Sequence, residues 1–319
     1  MTQIGWIFPG QGSQTAGMGK KYAGRAAFDN VIDICEDVTG KPVRQYLEEM
    51  PAQDLVQTDR AQLAIFSMSM GIAYCLKEEG FAPDFVAGHS LGHFTALAMS
   101  GVLSLEQAAK LVSVRGQLML AAGRRKAGGM GVIQRLDAET VAQLFNNSGL
   151  KVWLANLNLQ DQIVVSGAAD NMDSARQLVT AAGGRWTSLN VSGAFHSPLL
   201  NDEAAIFSSE IQKMEFKAPE CPVISNRNAY RLITAKHIQN DLLAHMTSQV
   251  CWTSVMNQIA NQAPAVLVEV GPGKVLTGLM LRHKPELKPQ STGVPALLSR
   301  TVLALQAISS STHIIENAA

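Results

Sequence analysis

The sequence lacks the features that mark secreted, membrane-spanning or strongly charged proteins. Its first residues carry neither a basic start nor a long apolar stretch, so they do not resemble a signal peptide. No apolar run of about 18 residues occurs, so no spanning helix is expected. Lys plus Arg equals Asp plus Glu at 26 each, so no net charge draws the chain to nucleic acid or membranes. We expect a cytoplasmic protein that binds neither.

Cysteine is also scarce. The four cysteines are scattered, and no two of them form a CxxC pair: Cys35, Cys75, Cys221 and Cys251. Four are too few for a disulfide scaffold in a chain of 319 residues, so we expect reduced, buried thiols. The common metal-ligand spacings are not present either. The sequence therefore predicts no metal site.

What the sequence does contain is a globular composition, with 47% hydrophobic and 16% charged residues. Its length favours either one large domain with an insertion or two domains. Short apolar runs at 5–8 and 85–87 predict buried strands. Apolar-rich segments predict helices over 60–79, ended by Gly80, and over 91–99. This alternation of strand, turn and helix predicts an α/β fold with a mostly parallel sheet.

The middle of the chain has a different order of elements. Its patterns predict strand, helix, strand, strand, helix and strand over 131–136, 138–146, 152–156, 163–166, 172–182 and 185–191. This βαββαβ order is that of a ferredoxin-like unit. Glycine-containing joints flank it at Gly128-Gly129 and Ser192-Gly193. We therefore expect a small domain over 126–192, inserted into a large domain formed by 1–125 and 193–319.

Further signals complete the large domain. Ser104-x-x-Gln107 is a capping box, which predicts a helix from there to about residue 122. After the insertion the patterns predict strands over 222–225 and 265–270, a helix over 274–281 and a candidate last helix over 303–308. The strand-and-helix alternation of the first part of the chain therefore resumes after the small domain.

The segment Gly88-His89-Ser90-Leu91-Gly92 fits the Gly-x-Ser-x-Gly pattern of a nucleophile elbow. A serine on a tight strand-to-helix turn brings the residues two positions before and after it close together, so only small residues fit there. The turn also places the hydroxyl at a helix N-terminus, whose free N–H groups favour developing negative charge. The pattern is short and occurs by chance, but the predicted strand before it and helix after it favour Ser90 as a nucleophile.

A second loop, Pro9-Gly10-Gln11-Gly12-Ser13-Gln14, follows the first predicted strand. Its two glycines leave room for the Gln11 amide to reach into a site, where it can donate to an oxyanion. Taken alone, this loop is better explained as an ordinary turn with a solvated glutamine.

Together these motifs resemble the malonyl-CoA:acyl-carrier-protein transacylases and the acyltransferase domains of polyketide synthases. The matching segments occur in the family's order at 8–14 with 17–19, 88–92, 114–116, Asn156 with 162–167, 193–197 and 269–274. The resemblance implies an α/β-hydrolase-like large domain with an inserted ferredoxin-like small domain. The patterns described above predict the same division.

The resemblance also implies catalytic roles. A serine hydroxyl needs a base, and seven histidines are available. The sequence alone does not choose among them, but the resemblance points to His196. No aspartate is clearly placed as a third member. In the family a backbone carbonyl orients the histidine, and the corresponding residue here is Ser248. The implied oxyanion hole consists of the backbone N–H of Leu91 together with Gln11, through its backbone N–H and side chain.

Three more residues are implied to lie in the substrate-binding region. Arg115 is the specificity residue, because a guanidinium holds a carboxylate bidentately and a malonyl group carries one. Without the resemblance, a surface arginine paired with a helix glutamate is the favoured explanation. Phe195 would crowd a substituent on the α-carbon, which favours malonyl over methylmalonyl; the alternative is a core phenylalanine. His89 lies inside the elbow, where it packs or hydrogen-bonds locally.

One residue departs from the family pattern. Glutamate commonly follows the Gly-His-Ser-Leu-Gly segment, and this chain has His93 there. The position is one helical turn from the nucleophile, so the change affects either local pKa values or carrier docking. Together with the Gly-Ala-Phe-His segment at 193–196, it favours a discrete polyketide-type enzyme that acts in trans.

The implied activity is the ping-pong transfer of a malonyl group from malonyl-CoA to the phosphopantetheine thiol of an acyl carrier protein. A malonyl-Ser90 ester is the intermediate, malonyl-CoA is a substrate, no cofactor is bound, and a monomer is expected. Two alternatives are an acyl hydrolase of the same fold, in which water replaces the thiol, and a carrier-binding partner without catalysis. The presence of Ser90, His196, Gln11 and Arg115 together favours the transferase.

Overall fold

The computed structural model describes residues 3–125, 127–191 and 193–316, with side chains as far as residue 307. Lys126 and Ser192, at the two predicted boundaries of the small domain, lie outside the described residues, as do residues 1–2 and 317–319. Of the helices in the described part of the chain, none is both long and apolar enough to cross a membrane.

Two sheets, flanked by helices, form the described part of the chain. The strands are β1 (Ile4–Phe8), β2 (Phe85–Gly88), β3 (Gly128–Gln134), β4 (Val152–Leu159), β5 (Gln162–Ala168), β6 (Arg185–Leu189), β7 (Val223–Ile224), β8 (Arg231–Leu232), β9 (Val266–Glu269) and β10 (Gln290–Ser291). The α-helices are α1 (Ala26–Thr39), α2 (Val43–Glu48), α3 (Ala52–Leu55), α4 (Thr58–Glu78), α5 (Gly92–Met99), α6 (Leu105–Arg125), α7 (Ala138–Ser148), α8 (Ala169–Ala181), α9 (Asn201–Gln212), α10 (Ala235–Leu243), α11 (Trp252–Asn261), α12 (Val275–His283) and α13 (Pro295–Glu316). Short 3₁₀ helices cover Pro198–Leu200 and Pro285–Leu287.

The larger sheet has the strand order β10-β9-β1-β2-β7-β8. Its pairs are parallel from β10 to β7, and β8 runs antiparallel to β7. The sheet is therefore mostly parallel, as the order of strands, turns and helices predicts. Phe8 of β1 is paired with Gly88 of β2. Because both strands end there and run in the same direction, the loop that carries Gln11 and the turn that carries Ser90 leave the sheet side by side.

The smaller sheet has the strand order β4-β5-β3-β6, and all of its pairs are antiparallel. Helices α7 and α8 are connected to it in the predicted βαββαβ order. Its own apolar core contains Ile133, Val141, Phe145, Ile163 and Val179, among others. This core is separate from the larger cluster of buried residues that includes α4, α5 and α6.

Two backbone hydrogen bonds join strand β4 of the smaller sheet to the segment that precedes α11. Val250 donates its N–H to the carbonyl of Ala155 and accepts from the N–H of Leu157, each at 2.8 Å. Strand β4 of the smaller sheet therefore holds the segment that precedes α11. That segment includes Ser248, two residues before the contact.

The local signals located the helices around the site. Helix α4 ends just before Gly80, whose φ of +84° fits the predicted glycine after a helix C-terminus. Gln107 N–H donates to Ser104 Oγ and Ser104 N–H donates to Gln107 Oε1, at 3.2 and 2.9 Å, so the predicted capping box forms. The candidate last helix over 303–308 is part of the longer α13. Helices α1–α3 and α9–α11 were not predicted.

Candidate active site

The turn between β2 and α5 has the geometry of a nucleophile elbow. Ser90 has a φ of +50°, a left-handed backbone conformation that residues other than glycine rarely adopt. A Cβ atom on Gly88 would lie 2.0 Å from the carbonyl of Gly92, and one on Gly92 would lie 2.1 Å from the carbonyl oxygen of Phe8. Only glycine fits at both positions, which is the reason the pattern requires small residues there. Strand and helix therefore present the Ser90 hydroxyl at the edge of the sheet.

Ser90 and His196 lie 106 residues apart in the sequence and meet in space. The distance from Ser90 Oγ to His196 Nε2 is 2.7 Å, and that from His196 Nδ1 to the carbonyl oxygen of Ser248 is 2.9 Å. Because a carbonyl only accepts, Nδ1 carries the ring proton and Nε2 is the acceptor for the serine hydroxyl. The structure thus brings together the three residues that the sequence assigned to nucleophile, base and orienting carbonyl.

His196 is held as a neutral imidazole. Burial lowers its pKa to about 3, and the positive charge of Arg115 acts in the same direction. Its side chain is only 4% exposed. A neutral Nε2 against a serine hydroxyl is the arrangement of a general base that can take the hydroxyl proton.

Arg115 enters the site from α6 and is 1% exposed. Its Nη2 donates to Ser90 Oγ at 3.2 Å, its Nη1 donates to Gln62 Oε1 at 2.5 Å, and the guanidinium lies 5.5 Å from the centre of the Phe94 ring. No ion pair involves it within the described residues. Burial lowers its pKa to about 9. The alternative of a surface arginine paired with a glutamate is wrong, and a buried, uncompensated cation beside the hydroxyl favours an anionic ligand.

Gln11 and Leu91 are the two residues predicted to form the oxyanion hole. Leu91 directly precedes α5, and Gln11 lines the same cleft as Ser90. In the part of the chain that the structure describes, no backbone hydrogen bond uses the N–H of either residue. The Gln11 side chain accepts a hydrogen bond from Thr58 Oγ1 at 2.8 Å through its Oε1. Two backbone N–H groups are therefore available at the serine.

A cleft of about 290 Å³ opens over these groups. Its walls come from both sheets and comprise Gln11, Gly12, Gln14, Val56, His89, Ser90, Arg115, Met119, Met130, Asn156, Leu189, Asn190, Val191, Phe195 and His196. Phe195 is 4% exposed and belongs to the apolar core, as the alternative expects; it also lines the cleft, and its role in selectivity stays a prediction. His89 is bonded through Nε2 to Asn158 Oδ1 at 2.9 Å and packs edge-on against Trp252. Its partners are thus distant in sequence, not local.

Comparison with known proteins agrees with this geometry. The model of the acyl transferase domain family matches residues 5–292. The chain belongs to this family. It is 34% identical over 311 residues to the malonyl CoA-acyl carrier protein transacylase of Bacillus subtilis (strain 168), across 96% of this chain and 98% of that protein. It is 34% identical over 292 residues to the polyketide biosynthesis malonyl CoA-acyl carrier protein transacylase PksC of the same organism, across 89% and 98%.

The solved structures lead to the same family. One of them is a type II PKS acyl-carrier protein in complex with its malonyl-transacylase. It superposes on this chain with a TM-score of 0.90 at 31% identity, and the match covers 94% of this chain and 99% of that one. At this level of identity and coverage, the α/β fold with its two sheets is shared along nearly the whole chain.

The sequence reasoning missed the residue that holds the backbone of the elbow. Asn226 Oδ1 accepts from the N–H of Ser90 at 2.8 Å, and its Nδ2 donates to the carbonyl of Gly88. One amide therefore bridges the two sides of the strained turn. A signal was present, because Asn226 follows β7, which neighbours β2 in the parallel part of the sheet, and such strand ends lie at one edge.

His93, which departs from the family pattern, lies behind the nucleophile. It is fully buried, 3.5 Å from Asn226 through Nδ1 and 3.5 Å from an oxygen of Asp241 through Nε2. Its ring stacks on that of His245, whose centre is 5.3 Å away. Burial lowers the pKa of His93, and Arg115 adds to this while Asp241 opposes it. A fully buried side chain cannot touch a carrier protein, so of the two predicted effects only the local one fits.

Proposed function

We propose that the chain transfers a malonyl group from malonyl-CoA to the phosphopantetheine thiol of an acyl carrier protein, through a malonyl-Ser90 ester. The observation that carries this proposal is the position of Arg115, a buried guanidinium whose Nη2 lies 3.2 Å from the Ser90 hydroxyl and which has no carboxylate partner among the residues that the structure describes. A malonyl thioester has a carboxylate on the far side of the carbonyl that a serine attacks. One arginine can therefore hold the substrate while it remains beside the nucleophile.

The proposed chemistry runs in two half-reactions. His196 Nε2 takes the hydroxyl proton while Ser90 Oγ attacks the thioester carbonyl, and the N–H groups of Leu91 and Gln11 bind the resulting oxyanion. The carbon–sulfur bond then breaks, and the proton on His196 passes to the thiolate of coenzyme A. In the second half, the carrier thiol gives its proton to His196 and attacks the ester, and Ser90 recovers a proton as it leaves.

Selectivity follows from two residues at the ends of the acyl group. Arg115 favours acyl groups with a terminal carboxylate over acetyl. Phe195, next to the base, leaves little room for a substituent on the α-carbon, so malonyl is preferred to methylmalonyl. No cofactor takes part in either half-reaction, because serine, histidine and hydrogen-bond donors supply every step.

The carrier protein is the proposed partner, and the names of the relatives support it. PksC is named for polyketide biosynthesis, and the superposed complex contains an acyl-carrier protein of a type II PKS. The Gly-Ala-Phe-His segment and His93 add to the case for a discrete enzyme that serves a polyketide synthase in trans. We further infer that the protein acts as a monomer, since a single chain brings Ser90, His196 and Arg115 together.

The finer description of the fold is also a proposal. The order β4-β5-β3-β6 with two helices supports a ferredoxin-like small domain, bounded near residues 126 and 192. The mostly parallel sheet with a serine elbow after β2 supports an α/β-hydrolase-like large domain, formed by the residues on either side. The cleft lies between the two, where β4 meets the Ser248 segment.

The fate of labelled malonyl-CoA tests the transferase against its alternatives. With a phosphopantetheine-bearing carrier protein present, we expect label on the carrier faster than label in free malonate. Faster release of free malonate would identify an acyl hydrolase instead, since water would then be the acceptor. If malonyl is neither transferred to the carrier nor released as free malonate, the protein is a carrier-binding partner without catalysis.

A further inference from the structure

A continuous chain of hydrogen bonds runs from the proposed carboxylate clamp to the proposed oxyanion hole, behind the cleft. Arg115 Nη1 donates to Gln62 Oε1 at 2.5 Å, Gln62 Nε2 lies 3.0 Å from Thr58 Oγ1, and Thr58 Oγ1 lies 2.8 Å from Gln11 Oε1. Gln62 is fully buried and Thr58 is 1% exposed. Both stand on α4, one helical turn apart, so the helix itself fixes their separation.

The direction of the first two bonds in this chain follows from the arginine. A guanidinium only donates, so Gln62 must turn its oxygen toward Arg115 and its nitrogen toward Thr58. The Thr58 hydroxyl accepts from that nitrogen and keeps its own hydrogen for a further bond. In the structure that hydrogen is donated to Gln11 Oε1, so Gln11 turns its oxygen toward Thr58. The Gln11 amide nitrogen, with both of its hydrogens, is then directed away from Thr58.

We propose that Thr58 is a positioning residue of the transferase, whose hydroxyl fixes the orientation of the Gln11 amide so that its N–H groups serve the oxyanion. This inference rests on the proposed function, because it gives Thr58 a role only through Gln11. Without the hydroxyl, the amide can rotate by half a turn and present its oxygen to the developing negative charge. Thr58 does not line the cleft, so it acts on the reaction without contacting the substrate.

The chain of hydrogen bonds also connects Arg115, the proposed selector of the substrate, to Gln11, a proposed donor to the oxyanion. Gln62 is held at both ends, by Arg115 and by Thr58, and its Nε2 additionally contacts the sulfur of Met119 at 3.2 Å. The guanidinium has five N–H donors, so a substrate carboxylate can bind Arg115 while the Nη1 bond to Gln62 stays in place and keeps the orientation of Gln11. The same arginine thus holds the substrate and sets the direction of the donor at the oxyanion.

Replacement of the hydroxyl by a methyl group tests the proposal. In T58V the rate of malonyl loading at saturating malonyl-CoA should fall about tenfold, the value of one hydrogen bond, while KM changes little. T58S keeps the hydroxyl and should recover most of the rate. T301V is the matched control. Thr301 is fully buried, and its hydroxyl has no partner within the described residues. Its position in the sequence is far from those of the residues that line the cleft.

A double-mutant cycle with Gln11 separates this proposal from the proposed function. In a Q11A background T58V should cause no further loss, because Thr58 then has no amide to orient. An equal loss in both backgrounds, or a T58V rate equal to that of the native protein, overturns the role of Thr58 and leaves the transferase intact. A native protein that never loads malonyl overturns the proposed function itself. Should T58V not fold, T58C repeats the cycle, since a thiol is a weak donor.

Discussion

Arg115 is the residue whose burial most needs an explanation. A cation that is 1% exposed and faces two polar neighbours and an aromatic ring loses most of its hydration and gains no counter-ion from the described part of the chain. Such a site is unfavourable for stability alone. Under the proposed function it becomes favourable when a ligand supplies the carboxylate, and the adjacent Ser90 would place that carboxylate at one end of an acyl group.

The selectivity of loading should therefore depend on this guanidinium. R115A should slow malonyl loading about ten- to a hundredfold more than acetyl loading, because one or two charge-assisted hydrogen bonds are lost only with malonyl. R115K should recover part of the difference, since it keeps the charge and loses the planar fork. Loading rates with the two coenzyme A thioesters measure both effects.

A partly buried arginine outside the cleft serves as the control for that comparison. Arg44 lies on α2 and is paired with Asp29 and Asp33, so R44A removes a guanidinium without touching the cleft. It should leave the ratio of malonyl to acetyl loading as it is. Equal losses for the two substrates in R115A would remove Arg115 from the clamp role.

The sequence identified the residues of the site that belong to short motifs, and it missed those that act through long-range contacts. Ser90, His196 and Ser248 were assigned from motifs and the resemblance, and the structure places His196 within hydrogen-bonding distance of the other two. Asn226 reaches Ser90 from 136 residues away, and Gln62 reaches Arg115 from 53. No local spacing encodes such pairs, because the sheet order and the packing of α4 against α6 create them.

At the level of elements, prediction succeeded where local chemistry marks an end. Gly80 closes α4, and Ser104 with Gln107 opens α6. Helix α1 was missed, and its preceding residue Arg25 makes no side-chain capping bond. Helix α10 does have a capping signal, since Thr234 accepts from the N–H of His237, and that signal was overlooked.

Strands show the same dependence on local information. β8 and β10 contain two residues each, which is too short for any alternation of polar and apolar residues to be read. The strands of the smaller sheet are longer, and all four were predicted with shifts of a few residues at their ends. Their pairing order is a tertiary property, which no local pattern of residues encodes directly.

Across the whole molecule, buried histidines tie stability to pH. Burial lowers the pKa values of His89, His93, His196 and His245 below the ordinary value near 6.5. The unfolded chain takes up these protons as the pH falls below about 6.5, and the folded chain does not. The free energy of unfolding should therefore decrease from about pH 6.5 to pH 5, by up to about 1.4 kcal/mol per pH unit for each such histidine. Glu269 opposes this trend, because burial raises its pKa.

Denaturant unfolding over this range of pH measures the slope. His245 is the most informative site, because both of its ring nitrogens are buried and have no hydrogen-bond partner within the described residues. H245F keeps a planar ring beside His93 and should reduce the slope by about one proton. A free energy of unfolding that stays constant or rises between pH 6.5 and 5 would contradict this reading of the buried histidines.

The proposed function depends on one covalent bond, the ester between Ser90 and a malonyl group. Intact-mass measurement after incubation with malonyl-CoA, without carrier protein, tests it most directly. We predict that the native protein gains the mass of one malonyl group, that S90A gains none, and that added carrier protein removes the adduct from the native protein. A native protein that gains no mass, or an adduct that persists in S90A, would contradict the account.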